Sequence, residues 1–246
     1  GYYGGHSGGK DSQVIHELAK MAGVKVDWHF ERTSVDPPQL LKFLRLHYPD
    51  VQWHNPTKTI FQLIEQEKML PTRLARFCCD FIKEQGGAGR TVLLGIRAEE
   101  SAKRKTYPVK DEQRLKRKRQ KKGMVGFRQD THKILIRPIL DWKWADVWNF
   151  HKERGLPHCE LYDPPYNYKR IGCIGCPMQG KKRWGDFRHF PKHKQAYLNA
   201  IRTIMAQGAY ADHDTPESVL KWWISGENKE LFLEKQERQI VFCYDN

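Results

Sequence analysis

Ser7-Gly8-Gly9-Lys10-Asp11-Ser12 is the stretch on which the reading of this 246-residue chain turns. It sets two hydroxyls, two glycines and one fixed cation side by side. Tyr2 and Tyr3 before it suit the end of a strand. Val14, Ile15, Leu18, Ala19 and Met21 after it recur with helical spacing. A glycine-rich turn between a strand and a helix predicts a phosphate site. Glycine lets backbone N–H groups approach oxygens, and the helix start adds partial positive charge. The serine hydroxyls add donors, and Lys10 adds charge to neutralise a leaving group. Gly4 and Gly9-Lys10 fit the Walker A spacing, but Asp11 stands where that pattern needs Ser or Thr. The plainer alternative is a tight turn of small residues.

Working outward, the first half alternates strand-like and helix-like runs. Val24–Phe30 alternates with period two. Pro37-Pro38 opens a helical pattern (Leu40, Leu41, Phe43, Leu44) for which Asp36 is the expected cap. Val51–Trp53 reads as a short strand and Ile60–Met69 as a helix. Thr91–Ile96 is almost wholly apolar, as a buried parallel strand is. This alternation predicts an α/β doubly wound parallel sheet over residues 1–150, with its ligand crevice beyond the carboxyl ends of the strands. Later, Lys133–Pro138 is strand-like and Asp141–Phe150 is aromatic and helical. Residues 151–246 read as a C-terminal subdomain, mostly helical and cysteine-bearing. The chain is long enough for a sizeable core, at 39% hydrophobic residues. No apolar run is long enough to span a bilayer and no secretory signal pattern precedes the loop, so a cytoplasmic setting is expected. The lack of an initiator Met suggests a trimmed N-terminus.

The formal charge is +14. Lys103 to Lys122 holds eleven Lys and Arg against two acidic residues, leaving only +5 for the rest of the chain. Such a local concentration reads as a footprint for a polyanion, most simply nucleic acid, or else as a solvated loop.

Six cysteines are present. Cys173-Ile-Gly-Cys176 is a C-x-x-C, and Cys78-Cys79 is an adjacent pair. Without an export signal, metal or redox chemistry is the better expectation than structural disulfides. Two pairs of thiolates suit an iron–sulfur cluster or zinc, with unligated redox thiols as the third option. Cys159 and Cys243 read as buried thiols, Cys243 alternatively as a mobile nucleophile.

Several segments together resemble one family. Ser7–Ser12 resembles the PP-loop of the N-type ATP pyrophosphatases and, within them, of the phosphoadenosine phosphosulfate reductase family. Arg76-Phe77-Cys78-Cys79 with Lys83 resembles the C-C-x-x-x-K of its cluster-bearing members. Gly95-Ile96-Arg97-Ala98-Glu99-Glu100-Ser101 with Arg104 resembles G-x-R-x-x-E-S-x-x-R. Pro138 to Trp148, Gly155-Leu156-Pro157, Leu161-Tyr162 and Ile171–Cys176 follow in the family's order. The resemblance implies an adenine nucleotide α-hydrolase-like fold. It implies that Cys78, Cys79, Cys173 and Cys176 hold a [4Fe–4S] cluster. It places Ser7, Gly8, Gly9, Lys10, Asp11, Ser12, Gly95, Arg97 and Glu100 around the nucleotide, with Arg97 and Arg104 toward its phosphate or sulfate end and Glu100 orienting an arginine.

The family divides by function. Its reductases carry a C-terminal E-C-G-[LI]-H segment, which is lacking here, where the chain ends Val241-Phe242-Cys243-Tyr244-Asp245-Asn246. Together with the basic stretch, this makes the iron–sulfur DNA phosphorothioation sulfurtransferases the nearest type expected. On that reading ATP binds the loop, Lys10 stabilises the departing pyrophosphate and Asp11 holds Mg²⁺. A nucleic acid phosphate is adenylylated, and sulfur from a cysteine desulfurase displaces AMP. The alternatives are a sulfonucleotide reductase dependent on Cys243 and a non-catalytic nucleic acid-binding module; thiolation of a tRNA base is a variant of the first reading.

Overall fold

The computed structural model describes residues 1–115 and 131–233. Residues 116–122 of the basic stretch, and Cys243, therefore lie outside the described residues. In chain order the elements are β1 (Tyr2–Gly5), α1 (Lys10–Met21), β2 (Val26–Glu31), α2 (Pro38–His47), β3 (Gln52–His54) and α3 (Ile60–Glu67). A π-helical turn (Cys79–Lys83), β4 (Thr91–Leu94), α4 (Ala102–Lys105), β5 (Lys110–Leu115) and β6 (Thr131–Ile136) follow. The chain ends in α5 (Trp144–Arg154), a 3₁₀ turn (Glu160–Tyr162), α6 (Arg183–His189), α7 (Pro191–Ala206) and α8 (Pro216–Ser225).

The chain forms two compact units, each from two stretches: residues 1–57 with 79–173, and residues 58–78 with 174–246. Among the described residues the first carries a six-stranded sheet in the order β3-β2-β1-β4-β6-β5. Neighbours from β3 to β6 pair in parallel, and only β5 runs antiparallel, against β6. The expected α/β class is thus the observed one. The reason is the sequence alternation: short β-rich runs separated by helical patterns can pair only through crossovers. From β1 the chain winds out to β2 and β3, then returns to β4 on the other side. The order reverses between β1 and β4, so the segments leaving these two strands open a crevice. The described sheet core includes Tyr3, Val92 and Leu135, and α1 buries Val14, Ile15 and Ala19.

Two local expectations change. Asp36 does not cap α2: Pro37 is the N-cap residue. The Asp36 carboxylate instead accepts the Thr33 N–H and hydroxyl, both at 2.7 Å, so its oxygens are spent upstream. The basic stretch is also structured in its described part, as α4 and the edge strand β5.

The second unit is helical where described. Thr59 and Gln62 form a capping box that starts α3. Leu63 and Ile64 of α3, Tyr197, Ile201 and Ile204 of α7, and Leu220 and Trp223 of α8 are buried. The Trp223 indole donates to the Pro71 carbonyl at 2.7 Å, and the buried Arg183 guanidinium lies 4.3 Å from the Trp223 ring.

Candidate active site

The loop His6–Gly9 leaves β1 and turns directly into α1. Gly8 sits at φ +73°, a left-handed conformation that side chains resist, and a Cβ there would also strike Leu40 at 2.5 Å. The turn is held from within. The Ser12 hydroxyl donates to the Gly9 carbonyl at 2.7 Å, and Gln13 Nε2 donates to the Gly8 carbonyl at 3.1 Å. The Gly8 N–H points to His6 Nδ1 at 3.3 Å, and the Gly9 N–H to Ser7 Oγ at 3.4 Å. Across the crevice, the end of β4 closes on the start of α1. A Cβ on Gly95 would lie 2.8 Å from the Asp11 carbonyl, so only glycine permits this approach.

The Lys10 main chain is gripped on both sides. Its N–H donates to the Tyr162 hydroxyl at 2.9 Å, and its carbonyl accepts from His151 Nε2 of α5 at 2.9 Å. The Lys10 side chain is buried, and its ammonium meets Asp11 Oδ2 at 2.8 Å. Burial lowers the Lys10 pKa while the Asp11 carboxylate opposes that shift. The other Asp11 oxygen accepts from Arg97 Nε at 2.6 Å, and Arg97 Nη1 meets Glu99 Oε2 at 2.5 Å. The same Glu99 oxygen accepts the N–H of Trp144, the first residue of α5, at 2.6 Å. A chain of alternating charge therefore runs Lys10, Asp11, Arg97, Glu99 and ends on a helix start, where a carboxylate is favoured.

Glu100 gathers a second group. One oxygen pairs with Arg104 and accepts the Arg97 N–H at 3.1 Å; the other lies 3.7 Å from Arg170. These pieces surround a cavity of about 300 Å³ in the first unit. Of the residues the sequence nominates, Ser7, Gly9, Asp11, Ser12, Gly95, Glu100 and Arg104 line it. Gly8, Lys10 and Arg97 do not; Lys10 and Arg97 are buried and act on the lining residues. Tyr162, Arg170, Gln13, His151 and His6 escaped sequence reasoning. Of these only Tyr162 carried a signal, within the quoted Leu161-Tyr162 segment.

His6 is 1% exposed and packs against Tyr48, His16 and Trp28. Its Nε2 has no partner among the described residues. Burial, reinforced by His16, pushes its pKa down from 6.5 to about 3. Above pH 6.5 the imidazole is neutral folded or unfolded. Below it the unfolded chain takes up a proton that the folded chain refuses, so stability falls with pH, levelling near pH 3. Between pH 7.5 and pH 5, His6 alone accounts for a loss of about 2 kcal/mol. Urea titrations at the two pH values are expected to show this slope, and His6→Asn is expected to reduce it by about that amount. An unchanged slope would contradict the assignment.

The thiol pairs straddle the two units. Cys79 and Cys173 belong to the first, Cys78 and Cys176 to the second. In the first unit, the Cys173 thiolate, helped by Asp36 and Cys79, raises the pKa of the Lys83 ammonium against the opposing effect of burial. In the second, burial lowers the pKa of the Arg183 guanidinium while Cys176 opposes it. Each unit thus sets a cation near a cysteine. The donor chemistry fits a thiolate-ligated group. Among the described residues, no three His, Cys, Asp or Glu side chains are grouped as a metal site.

A mostly parallel sheet with a small-residue loop at a helix start, converging with arginines on one cavity, is the architecture of a nucleotide-binding α/β fold. The profile of the phosphoadenosine phosphosulfate reductase domain matches residues 5–179, and the chain belongs to that family. It is similar to an adenosine 5'-phosphosulfate reductase of Oceanobacillus iheyensis, at 29% identity over 65% of this chain and 62% of that protein. It is similar to another of Staphylococcus saprophyticus, at 25% identity over 66% of this chain and 62% of that one. The chain therefore spans about three fifths of the length of these relatives. Among solved structures, a phosphoadenylyl-sulfate reductase from Candida auris in complex with phosphate aligns with TM-score 0.48 and 20% identity, covering 71% of this chain and 82% of that one.

These relatives overturn the DNA phosphorothioation reading, because the adenosine 5'-phosphosulfate reductase name they share supports the sulfonucleotide reductase alternative better. The basic stretch had drawn that expectation. In its described part it is a short helix and a sheet-edge strand that includes both its acidic residues, Asp111 and Glu112. Among the described residues no helix is long and apolar enough to cross a membrane.

Proposed function

We propose that this chain is a sulfonucleotide reductase acting on adenylyl sulfate or its 3′-phosphorylated form. Its relatives support this reading, and one observation carries it: the loop at the start of α1 shares a cavity with Arg104 and Arg170, held together by Glu100. An adenylyl sulfate presents a phosphate and a sulfate in tandem, and the positive start of α1 plus two guanidiniums match that double anion. A cysteine thiolate attacks the sulfate sulfur. An S–S bond forms, the S–O bond to phosphate breaks, and its electron pair leaves on AMP. A second thiolate then attacks the cysteine sulfur, releasing sulfite and leaving a disulfide. Buried Lys10 and the start of α1 supply positive potential behind the loop, and Arg104 offsets charge on the departing phosphate.

Cys78, Cys79, Cys173 and Cys176 would hold a [4Fe–4S] cluster. When bound, such a group supplies a thiolate-anchored, redox-capable centre. The test is anaerobic purification, metal analysis, and incubation with adenylyl sulfate and a dithiol. Expected are about four iron and four sulfide per chain, with sulfite and AMP released in equal amounts. Cys243→Ser is expected to abolish sulfite release, and unchanged turnover would count against the reading. Neither sulfite nor AMP from either sulfonucleotide would overturn the reading.

A further inference from the structure

The Tyr162 hydroxyl accepts the Lys10 N–H at 2.9 Å and lines the cavity beside Gly9. A Cβ on Gly9 would lie 3.3 Å from that oxygen, so the glycine leaves it room. The ring is fixed edge-to-face against Trp148 at 5.2 Å, and the Lys10 ammonium lies 5.9 Å from its centroid. Burial raises the phenol's pKa, so it keeps its proton. Among the described residues nothing accepts that proton. A hydroxyl that takes a hydrogen bond from a helix-start amide becomes a better donor through its own hydrogen, because chained hydrogen bonds polarise one another. The feature therefore has an input at the start of α1 and an unused output at the cavity.

We infer that Tyr162 is a substrate-binding residue: its hydroxyl relays the positive end of α1 to an oxygen of the bound phosphosulfate. This inference rests on the sulfonucleotide reading. During transfer the proton stays on Tyr162. The hydrogen bond strengthens as the S–O electron pair moves onto the phosphate, so the contact is worth more in the transition state than in the ground state. The rival role is a plug, in which the hydroxyl merely occupies an amide that the ligand would otherwise use.

Tyr162→Phe separates the two, because it removes the oxygen and leaves the ring on Trp148. The relay predicts AMP affinity weakened about ten- to a hundredfold by calorimetry, as for one hydrogen bond to a charged oxygen, with kcat for adenylyl sulfate falling and KM rising less. A plug predicts the reverse: the freed Lys10 amide binds AMP more tightly. Unchanged or tighter AMP binding overturns the inference. A second variant guards against a folding artefact. With 3-fluorotyrosine at position 162, a more acidic donor of nearly the same shape, the relay predicts tighter AMP binding, and weaker binding overturns it. AMP binding is read without turnover. If wild-type protein binds AMP but releases no sulfite, the functional reading fails while the Tyr162 comparison still stands on its own ratio.

Discussion

Replacing Arg97 by leucine is expected to destabilise the protein by about 3 kcal/mol, a lower-end value for breaking a buried ion pair. The Arg97 side chain is 4% exposed and Asp11 14%, so solvent cannot replace what each gives the other. Loss of the guanidinium strands one Asp11 oxygen and one Glu99 contact. Lys10 still holds the other Asp11 oxygen, which keeps the figure from rising further. The check is a double-mutant cycle by chemical denaturation. Asp11→Asn removes the stranded charge, so the pair Arg97→Leu with Asp11→Asn is expected to recover part of the loss. Strict additivity would show that the two side chains do not couple.

Arg104 is expected to behave in the opposite way. Its pairing with Glu100 is one helical turn long and partly exposed, a type that contributes little to stability. Arg104→Leu should leave the melting temperature nearly unchanged. It lines the cavity, however, and under the proposed function it faces charge that grows during the reaction. Removing one such preorganised donor typically costs about 10²–10³ in rate. Sulfite release from adenylyl sulfate should fall by that order, with Arg104→Lys recovering part of it. Normal turnover in Arg104→Leu would remove this residue from the chemistry. The motif offers the two arginines as equals; the structure gives one to the fold and the other to the cavity.

What could be read beforehand follows from distance along the chain. The loop, its glycines and the parallel strands were legible because each is a local pattern, and the strand ends differ by at most two residues. His151 was not, since its partner is the Lys10 carbonyl, 141 positions away in sequence and brought near only once the chain folds; Tyr162 showed only as part of a short motif, its bond to the Lys10 N–H being likewise distant in sequence. β5 was hidden for a different reason. Lys110-Asp111-Glu112-Gln113 carries no apolar alternation and reads as charge, not as strand. Charge informs about partners and solubility rather than about reaction, and here it pointed the functional expectation toward nucleic acid. Asp36 fits a helix-start pattern yet bonds backward, with both carboxylate oxygens taken by the Thr33 N–H and hydroxyl.

The antiparallel β5 has a role that its chemistry hides. It occupies one border of the sheet, where Ile134, Leu135 and Ile136 of β6 would otherwise present a ladder of unclaimed amides and carbonyls. A strand beginning Lys-Asp-Glu-Gln makes a poor template for a neighbouring molecule, since its outward rim is studded with solvated ions. Among the described residues, the portion that looked like a magnet for polyanions thus gives the sheet an edge on which a second molecule would find little purchase.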